Sequence, residues 1–265
     1  MNLAPTDTLY LALTCYAAGT LAALASLFWR EKRLQDFALA VMIGGFAAHT
    51  VWIGTICART GHPPITNLPE AVSFIAWTVF AVELVLWVRY RVYAASFFVY
   101  PLVLLLLTLS ATVGEHFKPL DPDLRSNVFI AHLLLSSLGV AGLLIGVAFG
   151  LLAFMQDRAL KSKKRGRLWE WIPSLDVCKR VGYRSLSIGF SIYTLGLLAG
   201  VLWSYRTTTA LMDLRTKQIG AVIAWVLFAV LLQQYISGAY RSRRTVLLSA
   251  GAFVAIIVAM LGIRG

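Results

Sequence analysis

The side chains best suited to chemistry in this sequence are four histidines, His49, His62, His116 and His132. Imidazole is the commonest protein ligand of metal ions and a frequent axial partner of haem iron. The three cysteines, Cys15, Cys57 and Cys178, are far apart and form no CxxC or CxxCH. That excludes a redox pair, a zinc knuckle and a covalent haem attachment site. Walker A, HExxH, GxSxG and dinucleotide motifs are all missing. The pattern predicts a binding protein rather than an enzyme.

Composition says what must position these histidines. Of the 265 residues, 59% are hydrophobic and 14% charged, with a mean hydropathy of +0.75. A soluble domain carries roughly 45–50% apolar and about 25% charged residues. An ordinary soluble enzyme and a disordered chain are therefore excluded. Eight apolar stretches run near 8–29, 37–57, 71–88, 92–113, 128–155, 185–205, 218–236 and 245–263. Each is long enough to cross a bilayer as a helix. Residues 1–7 hold no Lys or Arg, so the first stretch is expected to be a span and not a cleaved signal peptide. The expected fold is all-α, a polytopic membrane protein with eight transmembrane helices forming one integral-membrane domain over residues 1–265.

A net charge of +12 suggests nucleic acid at first sight. The basic residues instead sit in short runs between the apolar stretches. Seventeen of the 24 Lys and Arg fall in the odd-numbered connections, nine of them in residues 156–184. The positive-inside rule places those connections in the cytoplasm and both termini outside. All four histidines then fall toward the outer side. His49 and His132 lie within spans at similar outer depths, where one cavity could receive both. His at membrane depth is costly and marks a functional position. The alternative is that each donates a hydrogen bond to a neighbouring helix. His62 and His116 lie in outer loops and read as solvated residues.

Other intramembrane features read as structural. Gly142, Gly146 and Gly150 recur at four-residue spacing, as do Gly196 and Gly200, which suits close helix approach. Pro101 is expected to kink the fourth span. Glu83 is the one acidic residue well inside a span, and it reads as a snorkelling side chain beside Arg89 and Arg91. A small-solute permease usually shows several buried carboxylates or broken helices, so that class is disfavoured.

The loop 61–70, GHPPITNLPE, contains three prolines and ends at a helix start. Asn67 with Glu70 three residues on suits a capping box, and the stiff loop with His62 suits the rim of a ligand site. The longer stretch 61–77, GHPPITNLPEAVSFIAW, resembles the GHxPxxNxxExxxFxxW signature of the cytochrome c assembly family. This is the group of membrane haem-handling proteins that includes CcsA, CcmC and HemX. His49-Thr50 lies upstream, where HemX-like members carry a His-Thr pair. Pro173 to Asp176, Tyr183-Arg184, Gly189-Phe190, Thr194 to Gly196 and Gly200 to Trp203 follow the HemX-like branch. So do Ile223 to Trp225 and Tyr240 to Arg244. The resemblance covers about residues 40–260. It implies non-covalent haem b near the outer face, with His132 as first candidate iron ligand, His49 next, and His62 and Trp77 as further cofactor contacts. It implies CcsA- and CcsB-type maturation proteins as partners, and a multi-pass place in a bacterial cytoplasmic (inner) membrane.

The departures from the family pattern are informative. CcsA-type members carry a tryptophan-rich segment between the sixth and seventh spans. Here the stretch between Trp203 and Trp225 reads SYRTTTALMDLRTKQIG, with Thr208, Met212 and Leu214 among the replacements and Arg215 where an Asp belongs. Gln233 stands where CcsA carries a His in the seventh span, and the chain ends about where it carries its second outer His. The expected function is a haem-handling protein that supports cytochrome c maturation beside fuller partners. The alternative is a non-catalytic regulator of haem synthesis at the level of glutamyl-tRNA reductase, acting through its basic cytoplasmic loop. That loop carries Lys161, Lys163, Lys164, Arg165 and Arg167 beside Trp169 and Trp171, which also suits anionic membrane lipid.

Overall fold

The computed structural model describes residues 5–64, 68–112, 126–162, 171–207 and 216–237, with short pieces at 247–248, 251–252 and 254–255. The described residues form seven helices: α1 (Pro5–Trp29), α2 (Lys32–Thr60), α3 (Leu68–Tyr90), α4 (Ser96–Thr112), α5 (Asn127–Ser162), α6 (Leu175–Thr207) and α7 (Thr216–Ile236). Each of the first seven apolar stretches has become a helix, and no strand occurs among the described residues. Six helices are long and apolar enough to cross a membrane. α4 is a shorter apolar helix with Pro101 inside it. The eighth stretch lies almost wholly outside the described residues. Apolar side chains such as Leu21, Leu105, Leu198 and Val201 are each at least 60% exposed. An outer surface of that kind suits lipid rather than water.

The chain divides into two compact units. The first holds α1–α4 together with residues 171–173, and the second holds α5–α7.

In the first unit, α1 and α2 form a tight antiparallel pair. A methyl group added at Gly19 would lie 2.6 Å from the Met42 side chain, and one at Gly45 would lie 2.8 Å from the Tyr16 ring. The α1–α2 turn is fixed by polar contacts. Arg30 adopts a left-handed φ of 56° and donates its backbone N–H to the Ser26 carbonyl at 2.8 Å. Gln35, fully buried, donates to Ser26 Oγ at 2.6 Å and accepts from Ser96 Oγ of α4 at 3.4 Å. These bonds answer the rule that buried polar groups need partners. Trp171 packs edge-on against Phe97 at 6.3 Å, so this tryptophan of the basic loop is engaged by α4. Lys163, Lys164, Arg165, Arg167 and Trp169 lie outside the described residues.

Glu83 corrects the sequence reading. It does not snorkel: it is only 4% exposed. It follows Phe80 by three residues, and Phe80 is fully buried, so helical geometry turns both to the core.

In the second unit, glycines set how closely α5 and α6 approach. A methyl at Gly139 would lie 2.6 Å from the Tyr193 backbone, and one at Gly142 would lie 2.9 Å from Gly189 Cα. The packing reading of the four-residue glycine spacing is borne out for Gly142, Gly146, Gly150, Gly196 and Gly200, each of which would drive a methyl against a neighbouring helix. α5 and α6 both run past their apolar stretches. Lys161 pairs with Asp157 at 2.7 Å one turn earlier, which supports the polar extension of α5.

Candidate haem-ligand histidines

His132 stands in the first turns of α5, where that helix meets α6. Its Nδ1 lies 2.7 Å from the Gly196 carbonyl oxygen, so Nδ1 carries the proton and donates it. Ser136 Oγ is 3.4 Å away, one turn along α5. No hydrogen bond to Nε2 is found among the described residues, which leaves its lone pair available. A backbone carbonyl holding Nδ1–H is the arrangement that fixes the tautomer of a metal-ligating histidine. Glycine is required beneath the ring, because a methyl at Gly200 would lie 2.7 Å from Cε1 and Nδ1. Phe129 lies 6.4 Å from the imidazole and 4.9 Å from the Trp203 ring. The imidazole therefore has one fixed nitrogen, one nitrogen without a hydrogen bond among the described residues, and an aromatic flank.

His62 requires a second correction. The loop was expected to leave it solvated, yet it is 5% exposed. Gly61 turns the chain with a φ of 75° and caps α2 by donating to the Cys57 carbonyl. Thr60 Oγ1 then donates to the His62 carbonyl at 3.0 Å. These bonds fold the histidine back onto the protein. Its Nδ1 donates to the Pro63 carbonyl at 2.7 Å, while Nε2 is buried with no partner among the described residues. An unpartnered buried ring nitrogen costs roughly 1–3 kcal/mol. His62 thus repeats the feature that sets His132 apart, a carbonyl-anchored Nδ1 opposite an open Nε2.

His49 is arranged differently. It is fully buried on α2. Nε2 pairs with Ser73 Oγ of α3 at 2.8 Å, and Nδ1 faces the Tyr16 hydroxyl of α1 at 3.4 Å. Both nitrogens are engaged, and Trp52 and Tyr16 lie against the ring at 5.8 and 6.0 Å. This is the hydrogen-bonding alternative of the sequence reading. His49→Gln is expected to keep the chain folded, whereas His49→Ala should cost about 1–3 kcal/mol by stranding Ser73 and Tyr16. Thermal unfolding of the detergent-purified variants checks this.

Trp77 is tied to the same wall. Its Nε1 donates to Thr50 Oγ1 at 2.9 Å, and its ring stacks on Phe46 at 5.3 Å and on Phe74 at 5.7 Å. His49, His62 and Trp77 belong to the first unit and His132 to the second. His116, Asn67 and residues 208–215 lie outside the described residues. Among the described residues, no three His, Cys, Asp or Glu side chains converge.

Tyr16, Ser73 and Gly200 escaped the sequence reading. Gly200 stood in a small-residue pattern, but nothing marked it as the floor of an imidazole.

The family model described as Cytochrome C assembly protein matches residues 65–265. The chain belongs to this family. Cytochrome c biogenesis proteins CcsA are among its relatives. That of Prochlorococcus marinus (strain MIT 9301) is 28% identical over 228 residues, covering 77% of this chain and 74% of its own. That of Guillardia theta is 25% identical over 234 residues, covering 81% and 78%. That of Mesostigma viride is 23% identical over 293 residues, covering the whole of this chain and 95% of its own. The cytochrome c assembly match includes His132, Gly196 and Gly200, while His49 and His62 precede it.

Proposed function

We propose that this chain binds haem b non-covalently, as a HemX-like member of the family, and supports cytochrome c maturation in a bacterial cytoplasmic membrane. The observation that carries the reading is the His132 imidazole, with Nδ1 held by the Gly196 carbonyl at 2.7 Å and Nε2 without a hydrogen bond among the described residues. Such an imidazole is preorganised to present a lone pair, because its tautomer and ring plane are set before any ligand arrives. Bound haem would supply an iron that takes a ring nitrogen as ligand. His132 would supply that nitrogen, with Phe129 and Trp203 offering apolar surface. The unpartnered Nε2 of His62 fits the same chemistry and makes that residue the second candidate. His49, engaged at both nitrogens, would have to give up Ser73 first.

The role is binding and not catalysis. The stretch 204–217 lacks the tryptophans of a stacking platform, so haem is held by few contacts and stays open to exchange. The chain should then act beside CcsA- and CcsB-type partners. Expression in a bacterial strain lacking all maturation genes, with an apocytochrome reporter, is expected to give no holocytochrome from this chain alone. Holocytochrome formed without partners would overturn the accessory role.

We further propose eight spans with both termini outside, on the strength of the 17 basic residues in the odd connections. Reporter fusions should place Gly265 outside and Lys163 in the cytoplasm. A cytoplasmic Gly265 would contradict the arrangement.

A further inference from the structure

One set of contacts occurs twice, once in each unit. In the first, Trp77 Nε1 of α3 donates to Thr50 Oγ1 of α2 at 2.9 Å, and Thr50 Oγ1 donates to the Phe46 carbonyl at 2.7 Å. The Phe46 and Trp77 rings stack at 5.3 Å. In the second, Trp225 Nε1 of α7 donates to Thr194 Oγ1 of α6 at 2.9 Å, and Thr194 Oγ1 donates to the Phe190 carbonyl at 2.7 Å. The Phe190 and Trp225 rings stack at 5.4 Å.

The correspondence extends along all three helices without a gap in any of them. Gly45 and Gly189 each precede the clamp phenylalanine. A methyl at Gly45 would lie 2.8 Å from Tyr16, and one at Gly189 would lie 2.7 Å from Leu143. Three residues after Tyr16 comes Gly19, packed on Met42; three after Leu143 comes Gly146, packed on Leu186. Met42 and Leu186 occupy the same place, three residues before the paired glycine. On the third helix, Ala76 and Ala224 directly precede the tryptophans, and Phe80 and Phe228 follow by three. All four are fully buried. Generic helix packing places small residues at interfaces, but it does not dictate the same tryptophan-to-threonine bond, the same stacked phenylalanine and the same glycine contacts together.

We infer that α1–α3 and α5–α7 are two copies of one three-helix module, and that Tyr193 holds in the second copy the position that His49 holds in the first. Each of these residues lies three positions after its clamp phenylalanine. Each reaches the residue four before the clamp tryptophan: His49 Nε2 meets Ser73 Oγ at 2.8 Å, and the Tyr193 hydroxyl donates to the Ala221 carbonyl at 3.3 Å. The module therefore contains one buried polar position facing its third helix, filled by an imidazole in one copy and a phenol in the other. Tyr193 is 5% exposed, and no motif had marked it. The apolar stretch 245–263 follows α7 as α4 follows α3. A methyl at Gly251 would lie 3.8 Å from Leu227 of α7.

The duplicated position can be tested without haem, on the full chain in detergent. Tyr193→His is expected to lower Tm. Adding Ala221→Ser should return at least half of that loss, because the pair rebuilds the His49–Ser73 contact, while Ala221→Ser alone should give no gain. Effects that merely add would overturn the assignment. Trp77→Phe and Trp225→Phe, which keep an aromatic ring but remove the indole donor with the fused pyrrole ring, should lower Tm by amounts within a factor of two of each other. A loss confined to one of them would count against two copies of one module.

Discussion

His132→Ala is expected to lower the haem retained per purified chain at least about tenfold, because changing only the hydrogen-bond partner of a metal ligand already costs about 10–100-fold in affinity. The variant should still fold. It loses one hydrogen bond between α5 and α6, that to the Gly196 carbonyl at 2.7 Å, which contributes about 1 kcal/mol. The close approaches of α5 to α6 at Gly139, Gly142 and Gly146 do not involve His132 and are untouched. Haem loss without a matching fall in Tm is the signature of a ligand. Equal loss of both would make His132 a packing residue. His62→Ala should also lower retention, because His62 is buried with an unpartnered Nε2. It should lower Tm only slightly, because the lost Pro63 bond and ring packing are offset in part by removal of an unsatisfied nitrogen.

The largest effect on folding is expected in the second unit. A methyl at Gly189 would lie 2.7 Å from Leu143 N and 2.8 Å from Gly142 C, both backbone atoms that no rotamer can move. Gly189→Ala should therefore cost about 1–3 kcal/mol, as overpacking of a tight contact does. Gly189→Leu should abolish monodisperse protein on size-exclusion chromatography. Gly44→Leu and Gly54→Leu, where nothing stands within 4 Å, should leave the elution profile unchanged. Equal tolerance at Gly189 and Gly44 would contradict the packing of α5 on α6.

Much of the architecture is legible in the sequence because long apolar runs admit few structures in a bilayer. The run 218–236 became α7 within two residues, and 128–155 begins within one residue of the start of α5. The polar ends were not legible. α6 begins at Leu175, ten residues before its apolar stretch, and nothing in the composition of 175–184 distinguishes helix from loop. Glu83 was readable in principle: Ala76, Phe80 and Glu83 follow helical spacing, and the first two are core residues. The loop position of His62 hid its burial, since the turn at Gly61 and the carbonyl anchor at Pro63 are properties of backbone geometry. The partners of His49 were hidden for another reason. Tyr16 and Ser73 lie on other helices, far along the chain, and only packing brings them to one imidazole. The departures from the family pattern in 204–217 were visible at once, because an absent tryptophan needs no fold to be seen.

The central claim is that this protein holds haem through an imidazole whose far nitrogen is fixed by a backbone carbonyl. The absorption spectrum of the full chain, purified in mild detergent after haem-replete expression in a strain lacking other maturation proteins, tests it most directly. A Soret band that co-elutes with the protein, and that weakens or shifts in His132→Ala, is the predicted result. A colourless wild-type protein that elutes as a folded species, and stays colourless when haem is added, would contradict it.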